Sequence, residues 1–342
     1  MRWSAQELPK AVSGLLGFPI TPYDVDGGVD DDALRAQVAM LLAHGAQALF
    51  PACGTGEMQS LSPAEYRQVL RACVAEAAGR VPVLPGVGFG HSLAVEMLAV
   101  ARADGADGAL VFPAYMTHTA SAGQYDYFAS LAASSELGLV LYQRDSTVFS
   151  PDEVVALAAV PTIVGLKDGT GRVDLLVNQV DAVAQSIDTD FAFFNGAPTA
   201  ELIAPAMQTI GITSYSSALL NFVPEVATGF YRALISRDAE KVAELMATAI
   251  VPFVRMRDRV PGYAVSLVKA GVALRGLEVG PVRAPLIQPL PEDLHDLQQY
   301  LDTLDLAHPL HPATLVNQQA GAVGNGRRPP LHSLDTVAGA PR

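Results

Sequence analysis

Cysteine, charge and long apolar runs are all scarce in this sequence. Two cysteines, Cys53 and Cys73, occur in 342 residues, too few for a disulfide framework or a cysteine-rich metal site and typical of a reducing compartment. The longest apolar stretches, such as 249–254, are far shorter than the roughly 20 residues that a membrane-spanning helix requires. The opening residues MRWSAQELPKAVSG include no apolar signal segment. We therefore expect a soluble, cytoplasmic protein.

Basic residues are the scarcer charged class. The chain has 22 Lys and Arg against 35 Asp and Glu, a formal net charge of -13. Such a surface repels phosphate backbones and anionic lipids, so we expect neither nucleic acid nor a membrane surface as a partner. Half of the residues are hydrophobic, which is enough to build a large core and excludes a mainly disordered chain.

Short apolar runs alternate with amphipathic segments along most of the chain. The runs are 14–21, 46–51, 81–87, 108–113, 138–142, 162–167, 191–195 and 211–215. Continuously apolar strands are typical of parallel sheets that are covered on both faces. Ser62 and Ser150, each followed by Pro and by Glu at the third position, predict helix starts between such runs. The pattern predicts an α/β fold, a (β/α)8 TIM barrel, with an open doubly wound sheet as the alternative.

The hydrophobic pattern changes after the last predicted strand. From there the pattern is helical only, over about 222–235, 239–253, 257–277 and 291–303. From about residue 307 it becomes rich in Pro, Gly, Asn and Gln without periodicity. We therefore predict a barrel over 1–235, a C-terminal helical extension over 236–304 and a flexible tail over 305–342.

Lysine is rare enough to narrow the search for a nucleophile. The chain has four lysines, of which Lys167 ends a predicted strand and is followed by a DGTG loop. An ammonium at the end of an apolar strand is partly desolvated, which lowers its pKa and favours the neutral amine that attacks carbonyls. The alternative is a rim lysine that pairs with Asp168. Lys269, on a mostly apolar helix, is more typical of a snorkelling or interface residue.

Glycines surround a threonine directly after another predicted strand. In Gly54-Thr55-Gly56 the glycines let backbone N–H groups approach an anion closely, and Thr55 adds a hydroxyl donor. A substrate carboxylate fits here, although a tight turn that needs glycine for its geometry alone is an equal alternative.

Tyrosines end two further strands. Tyr142 ends the strand before that of Lys167, where a phenol could relay protons, and Tyr115 is a similar case one strand earlier. For both, the alternative is an amphipathic rim residue. The seven histidines form no HExxH or other close ligand pair, so we expect no metal site.

Five motifs, taken in order, resemble those of the dihydrodipicolinate synthase / N-acetylneuraminate lyase family. They are GLLGFPITPYD from residue 14, CGTGE from 53, FPAY from 112, LYQRD from 141 and IVGLKDG from 163. The resemblance implies that Lys167 forms a Schiff base, that Tyr142 relays protons, and that Thr55 with Gly54 and Gly56 binds the carboxylate beside the keto group. It also implies that no external cofactor is needed, and a homo-oligomer (tetramer or dimer) in which Tyr115 reaches a neighbouring subunit's site.

Two segments resemble one branch of that family, the 5-dehydro-4-deoxyglucarate dehydratases. They are 211–224 and 268–271, whereas Gly54, Gln143 and Thr147 depart from the synthase pattern. The resemblance implies a small-molecule keto-deoxy sugar acid as substrate, decarboxylated and dehydrated to 2,5-dioxopentanoate, CO2 and water. Ser214 and Ser216, expected where the last strand ends, are candidate contacts to its hydroxyl groups, with a plain polar rim as the alternative.

Two other functions stay open on the sequence. A pyruvate-dependent class I aldolase, lyase or synthase would use the same imine for carbon–carbon bond cleavage or condensation. A non-catalytic sugar-acid-binding protein would use the same barrel without chemistry, although the joint presence of Lys167, Tyr142 and Thr55 argues against it.

Overall fold

The apolar runs form the parallel strands of a barrel. A computed structural model describes residues 2–115, 117–145, 147–306 and 309–310. Its strands are β1 Leu15–Gly17, β2 Gly86–Phe89, β3 Gly108–Ala114, β4 Gly138–Gln143, β5 Ile163–Asp168, β6 Ala192–Asn195 and β7 Tyr215–Ser217. They are hydrogen-bonded in the order β1-β7-β6-β5-β4-β3-β2, and every neighbouring pair is parallel. This order is that of a single sheet wound in one direction.

The segment predicted as the second strand, 46–51, closes the sheet into a ring. Leu49 forms parallel bridges to Gly17 on one side and to Val83 on the other. Its backbone N–H donates to the Pro82 carbonyl, and its carbonyl accepts from Leu84 N–H. The predicted TIM barrel is confirmed, with a regular ladder along seven strands and this bridged segment in the eighth position.

Helices surround the ring and continue beyond it. They are α1 Leu8–Ala11, α2 Asp31–Ala43, α3 Pro63–Ala77, α4 His91–Ala103, α5 Ser121–Ala133, α6 Pro151–Ala158, α7 Val173–Ser186, α8 Ala204–Gln208, α9 Pro224–Ser236, α10 Ala239–Leu245, α11 Val251–Arg257, α12 Tyr263–Leu274 and α13 Pro291–Thr303. The starts predicted from Ser62 and Ser150 are confirmed, because both serines form capping boxes at α3 and α6.

Four helices, α10 to α13, lie in the predicted extension 236–304. The helix predicted from residue 257 starts only at Tyr263, because Gly262 has a φ of 95° that is incompatible with a continuous right-handed helix. The three-part division of the chain stays a prediction, and most of the predicted tail lies outside the described residues.

Two apolar layers follow from the alternation of side chains. One lies between the sheet and the helices and includes Leu139, Leu141 and Leu166. The other fills the barrel interior and includes Val140, Tyr142, Val164, Phe50 and Phe194, together with residues of α1. The Leu8 side chain of α1 packs against Gly108 and Gly138 where β3 and β4 begin. The amino-terminal end of the barrel is thereby filled, which leaves the carboxyl ends of the strands for a site.

A β-bulge in β5 decides which residues face the interior. Leu139 pairs with Ile163 but Val140 pairs with Gly165, so β5 contains one extra residue opposite β4. Val164 and Lys167, which regular alternation would place on opposite faces, therefore both point into the barrel. Gly165 permits this, since a Cβ there would lie 2.6 Å from the Ala192 carbonyl oxygen.

Candidate active site

A cleft of about 330 Å³ lies at the carboxyl ends of the strands. Its walls include five of the residues predicted from the sequence: Lys167, Tyr142, Gly54, Thr55 and Ser216. Further lining residues are Phe18, Gln59, Arg144, Gly196, Ala197, Pro198, Thr199, Ser217, Ala218, Arg257, Gly262, Ala264, Val265 and Leu286. Of the last four, Gly262 precedes α12, Ala264 and Val265 lie in its first turn and Leu286 follows it, so the C-terminal part of the chain completes the wall.

Lys167 lies at the bottom of this cleft with its amine against two aromatic rings. The side chain is 6% exposed. Its Nζ lies 3.9 Å from the ring centroid of Phe18 and 4.5 Å from that of Tyr142. Gly196 makes room for the stem, since a Cβ at that position would overlap Cε, Cγ and Cδ of Lys167.

The surroundings of Lys167 favour its neutral amine. Burial lowers the pKa of the Lys167 amine to about 7, and the nearby Arg144 guanidinium lowers it in the same direction. Within the described residues no carboxylate forms an ion pair with its Nζ. The neutral amine, the form that attacks a ketone, is therefore populated near neutral pH.

Asp168, the alternative partner of Lys167, points to the other side of β5. Its carboxylate accepts hydrogen bonds from Gln143 Nε2 at 2.8 Å, Thr170 Oγ1 at 2.7 Å and Gly171 N at 2.9 Å. Gln143 is buried as well and connects to Gln179 on α7. This network fixes the loop after β5 and leaves Asp168 unavailable to the amine.

Tyr142 is the register partner of Lys167 on the neighbouring strand β4. Its hydroxyl donates to the Gly196 carbonyl at 3.2 Å, and the Arg144 guanidinium lies 5.3 Å from its ring centroid. Burial raises the pKa of the Tyr142 phenol, while Arg144 lowers it. The hydroxyl is thus protonated at neutral pH, and Tyr142 lines the same cleft as Lys167.

The Gly54-Thr55-Gly56 loop forms the wall across from β4 and β5. Gly54 and Thr55 line the cleft, and the Gly56 carbonyl accepts from Thr21 Oγ1 at 2.7 Å. A Cβ would meet open space at Gly54, whereas at Gly56 it would lie 3.0 Å from Ala52 N. Only Gly56 is therefore required by packing, and Gly54 leaves space for a ligand.

A buried ion pair between Glu57 and Lys269 anchors the Gly54-Thr55-Gly56 loop. Glu57, fully buried, accepts from Lys269 Nζ at 2.9 Å and from Arg283 N at 2.8 Å. Lys269 is 2% exposed, and its Nζ lies 4.1 Å from the Tyr23 ring centroid. The expectation of a snorkelling Lys269 is wrong, because its ammonium is buried and its charge is compensated by a glutamate 212 residues away in the chain.

Three of the predicted site residues, Gly56, Ser214 and Tyr115, do not line the cleft. Ser214 lies before β7 begins, its Oγ accepting from Gly14 N at 2.8 Å, and it lines a separate depression beside Pro9 and Val12. The sequence predicts the last strand over 211–215, whereas β7 is Tyr215–Ser217, so Ser214 precedes the strand instead of lying where it ends. Tyr115 follows β3, is 68% exposed and does not line this cleft.

Three polar groups of the cleft were missed from the sequence. Arg144 lines it next to Tyr142, and Arg257 of α11 donates to Thr199 Oγ1 at 2.7 Å. Ser217 of β7 also lines it and donates to the buried Glu201. Thr199 has a φ of 48°, a strained backbone for a β-branched residue. Had the sequence placed the end of the last strand at Ser217, that serine would have been a candidate site residue. Arg257 could not be found in this way, because no local sequence pattern shows that α11 packs at the barrel.

Neither a metal cluster nor a membrane span is found in the part of the chain that the structure describes. There, no group of three or more His, Cys, Asp or Glu side chains could hold a metal ion. In the same residues, no helix has both the length and the apolar character needed to cross a bilayer.

Comparisons with known proteins agree with this geometry. A probable 5-dehydro-4-deoxyglucarate dehydratase of Streptomyces griseus is 47% identical over 287 residues, which cover 84% of this chain and 90% of that protein. One of Bacillus subtilis is 39% identical over 284 residues, 83% and 91% of the two chains. The crystal structure of a dihydrodipicolinate synthase from Bacillus clausii matches with a TM-score of 0.81 at 27% identity, over 87% of this chain and all of that one. The model of the dihydrodipicolinate synthetase family matches residues 11–304, and the chain belongs to that family.

Proposed function

We propose that the protein is a lyase that converts 5-dehydro-4-deoxyglucarate to 2,5-dioxopentanoate, CO2 and water through a Schiff base on Lys167. The observation that carries the proposal is the buried amine of Lys167, held between the rings of Phe18 and Tyr142 with a near-neutral pKa. The relatives named as probable dehydratases of this substrate support the choice among imine-forming reactions.

The first half of the reaction removes water. Neutral Lys167 attacks the keto carbon C2 (numbered from the keto-acid end), water leaves, and the protonated imine acidifies the C3–H bonds. One C3 proton moves to the Tyr142 hydroxyl, which passes its own proton to the C4 hydroxyl, and the electrons of the resulting enamine expel that hydroxyl as water. The product of this step is an iminium conjugated to a C3–C4 double bond.

The second half removes CO2. The C5–C6 bond breaks, and its electrons move through C4 and C3 to the iminium nitrogen, which leaves an enol at C5. Protonation at C4 with loss of the enol proton gives the aldehyde, and protonation at C3 followed by hydrolysis releases 2,5-dioxopentanoate and the Lys167 amine. No external cofactor enters these steps.

Two ends of the cleft suit the two carboxylates of the substrate. Thr55 and the adjacent backbone N–H groups are proposed to bind the carboxylate next to the keto group. Arg144 and Arg257 line the remainder of the wall and would bind the distal carboxylate. Each guanidinium also pairs with an adjacent carboxylate, Arg144 with Asp145 and Arg257 with Asp258, and would share its remaining donors with the substrate.

Product identification tests the proposal. The protein is incubated with 5-dehydro-4-deoxyglucarate, and products are identified by mass spectrometry, with and without sodium borohydride. We expect 2,5-dioxopentanoate, CO2 and a trapped adduct on Lys167. Release of free pyruvate without CO2 would instead identify a pyruvate-dependent aldolase, and the absence of any trapped adduct would favour a binding protein.

Assembly and location complete the proposal. Tyr115, exposed at the end of β3, is available to reach the site of a neighbouring subunit in a homo-oligomer. The two cysteines are free and buried, which suits the reducing cytoplasm that we propose as its location.

A further inference from the structure

A buried asparagine lies behind the loop that follows β6. Asn195, the last residue of β6, is 1% exposed. It is the register partner of Asp168, whose side chain faces the helices, and the preceding Phe194 faces the barrel interior. The Asn195 side chain therefore points away from the cleft, whereas each of the four residues that follow it, 196–199, lines the cleft.

The amide of Asn195 joins the two ends of this loop. Its Oδ1 accepts a hydrogen bond from Ala197 N at 3.0 Å, and its Nδ2 donates to the Ala200 carbonyl at 2.8 Å. The two contacts need an acceptor and a donor on one short side chain. An amide offers both, whereas an ionised aspartate only accepts and a leucine does neither.

The contact with Ala197 decides where the neighbouring carbonyl points. Ala197 N–H and the Gly196 carbonyl belong to one peptide unit, which is planar and trans, so the two groups point in opposite directions. Because Asn195 holds the N–H on the outer side, the carbonyl is directed to the cleft side, where it accepts the Tyr142 hydroxyl at 3.2 Å. The Gly196 N–H is fixed as well, by the Asp168 carbonyl. The direction of the phenol is thus set from behind the strand.

The contact with Ala200 holds the other end of the loop. Thr199, directly before Ala200, has a φ of 48° and a ψ of 70°, a backbone conformation that persists only where its surroundings enforce it. Its Oγ1 accepts from Arg257, one of the two arginines proposed to bind the distal carboxylate. Release of the Ala200 carbonyl would free this strained residue and move the anchor of Arg257.

We propose that Asn195 is a positioning residue for the reaction. Through the Gly196 carbonyl it fixes the direction of the Tyr142 hydroxyl, whose oxygen keeps two acceptor positions for a substrate proton. Through Thr199 it places the Arg257 guanidinium. This role, which rests on the proposed function, needs no contact between Asn195 and the substrate. A misplacement of about 1 Å in such groups can lower a rate about 100-fold.

Asn195→Leu tests the tyrosine end, because leucine keeps the size of the side chain without its hydrogen bonds. Pyruvate, the C1–C3 fragment of the substrate, should form the same imine, and its methyl protons then exchange with D2O through the enamine. We expect this exchange, followed by mass spectrometry, and CO2 release from 5-dehydro-4-deoxyglucarate to fall about 100-fold. Borohydride trapping of pyruvate on Lys167 should stay within a few-fold of wild type. In a Tyr142→Phe background the substitution should change exchange by less than a few-fold, because the hydroxyl through which it acts is absent.

Asn195→Asp tests the arginine end. The carboxylate still accepts from Ala197 N but cannot donate to the Ala200 carbonyl, so KM for 5-dehydro-4-deoxyglucarate should rise about tenfold, with pyruvate exchange within a few-fold of wild type. A protonated aspartate regains a donor, and burial favours that form. The ratio of its KM to that of wild type should therefore fall toward one as pH is lowered from 8 to 6, which a folding defect would not produce. Asn178→Asp, exposed on α7, is the matched control and should keep the wild-type values.

The outcomes are distinct. A folded Asn195→Leu enzyme with wild-type exchange would overturn the proposal, as would an effect that multiplies with that of Tyr142→Phe. If Asn195→Leu does not fold, an Asn195→Asp enzyme with the wild-type KM at pH 8 would overturn it. A wild-type enzyme that exchanges the pyruvate protons but releases no CO2 would overturn the proposed function alone, since exchange still reports the effect of Asn195 on the phenol.

Discussion

Tyr142 and Lys167 are register partners on adjacent parallel strands, and the amine of one lies 4.5 Å from the ring centroid of the other. The ring desolvates the amine and thereby helps to lower its pKa, while the hydroxyl extends past it to the Gly196 carbonyl. One tyrosine thus serves two separable purposes.

Replacing the hydroxyl alone should separate those purposes. Tyr142→Phe keeps the ring over the amine, so the rate of borohydride trapping should stay within a few-fold of wild type. Turnover should fall by about 10²–10⁴, the usual contribution of a proton-transfer group. Trapping and CO2 release, measured on the same preparation, check this. A variant with normal turnover would contradict the relay role.

The buried amine should cost stability. The pKa of Lys167 is about 7 in the fold but near 10.4 when unfolded, so between pH 7 and 10 the unfolded chain binds one proton more than the folded protein and is stabilised by it. Lys167→Met should therefore trap no substrate yet raise the free energy of unfolding at pH 7 by on the order of 3–4 kcal/mol. The gain should shrink as pH rises from 7 to 10. Urea unfolding at pH 7 and 9.5 measures it, and equal gains at both would contradict the depressed pKa.

Imine formation should depend on pH with the sign of a lysine whose pKa is lowered. The amine is neutral above its pKa, so the initial rate of trapping should rise about tenfold per unit up to pH 7 and level off above it. Single-turnover trapping between pH 5 and 9 gives this profile. A rate that continues to rise to pH 9 would show an ordinary, solvated lysine.

Arg144 should recognise the distal carboxylate. It lines the cleft and is oriented by Asp145 at 2.7 Å. Arg144→Gln should raise KM for 5-dehydro-4-deoxyglucarate at least tenfold, because a charge-assisted hydrogen bond contributes about 1.5–3 kcal/mol. Arg172→Gln is the control, since Arg172 forms a similar surface pair with Asp174 away from the cleft. Equal KM values for the two variants would remove Arg144 from the binding site.

The ion pair behind the Gly54-Thr55-Gly56 loop should be sensitive to loss of one partner. Lys269→Met leaves Glu57 buried with an uncompensated charge, so the free energy of unfolding should fall by about 3–5 kcal/mol. Lys241→Met, which breaks the exposed pair with Glu244, should change it by less than about 1 kcal/mol. Denaturant unfolding measures the free energy of unfolding of both variants. Equal losses in the two would contradict the claim that burial makes the Lys269–Glu57 pair more important than the exposed one.

Much of the fold and part of the site could be predicted from local patterns. Apolar runs and the caps at Ser62 and Ser150 are local signals, and Lys167, Tyr142 and Thr55 follow strands that these signals locate. Other features depend on contacts between distant segments. The Lys269–Glu57 pair and the Glu201–Ser217 hydrogen bond each need two elements to be placed first. The prediction for Ser214 is wrong because the segment from Gly211 is only weakly apolar. The predicted strand bounds therefore differ from those of β7 by a few residues, and Ser214 lies before the strand.

The extra residue in β5 gives the cleft its chemical character. Beyond Gly165, each residue faces the side opposite to the one that strict alternation from Val164 would assign. Without the bulge, strict alternation from Val164 would present Asp168 to the substrate and turn the lysine toward the helices. An anion would then stand where an electrophile must be captured, and the barrel would keep its shape while losing its nucleophile. Whether β5 presents a nucleophile or an anion to the cleft therefore depends on the bulge that precedes Lys167.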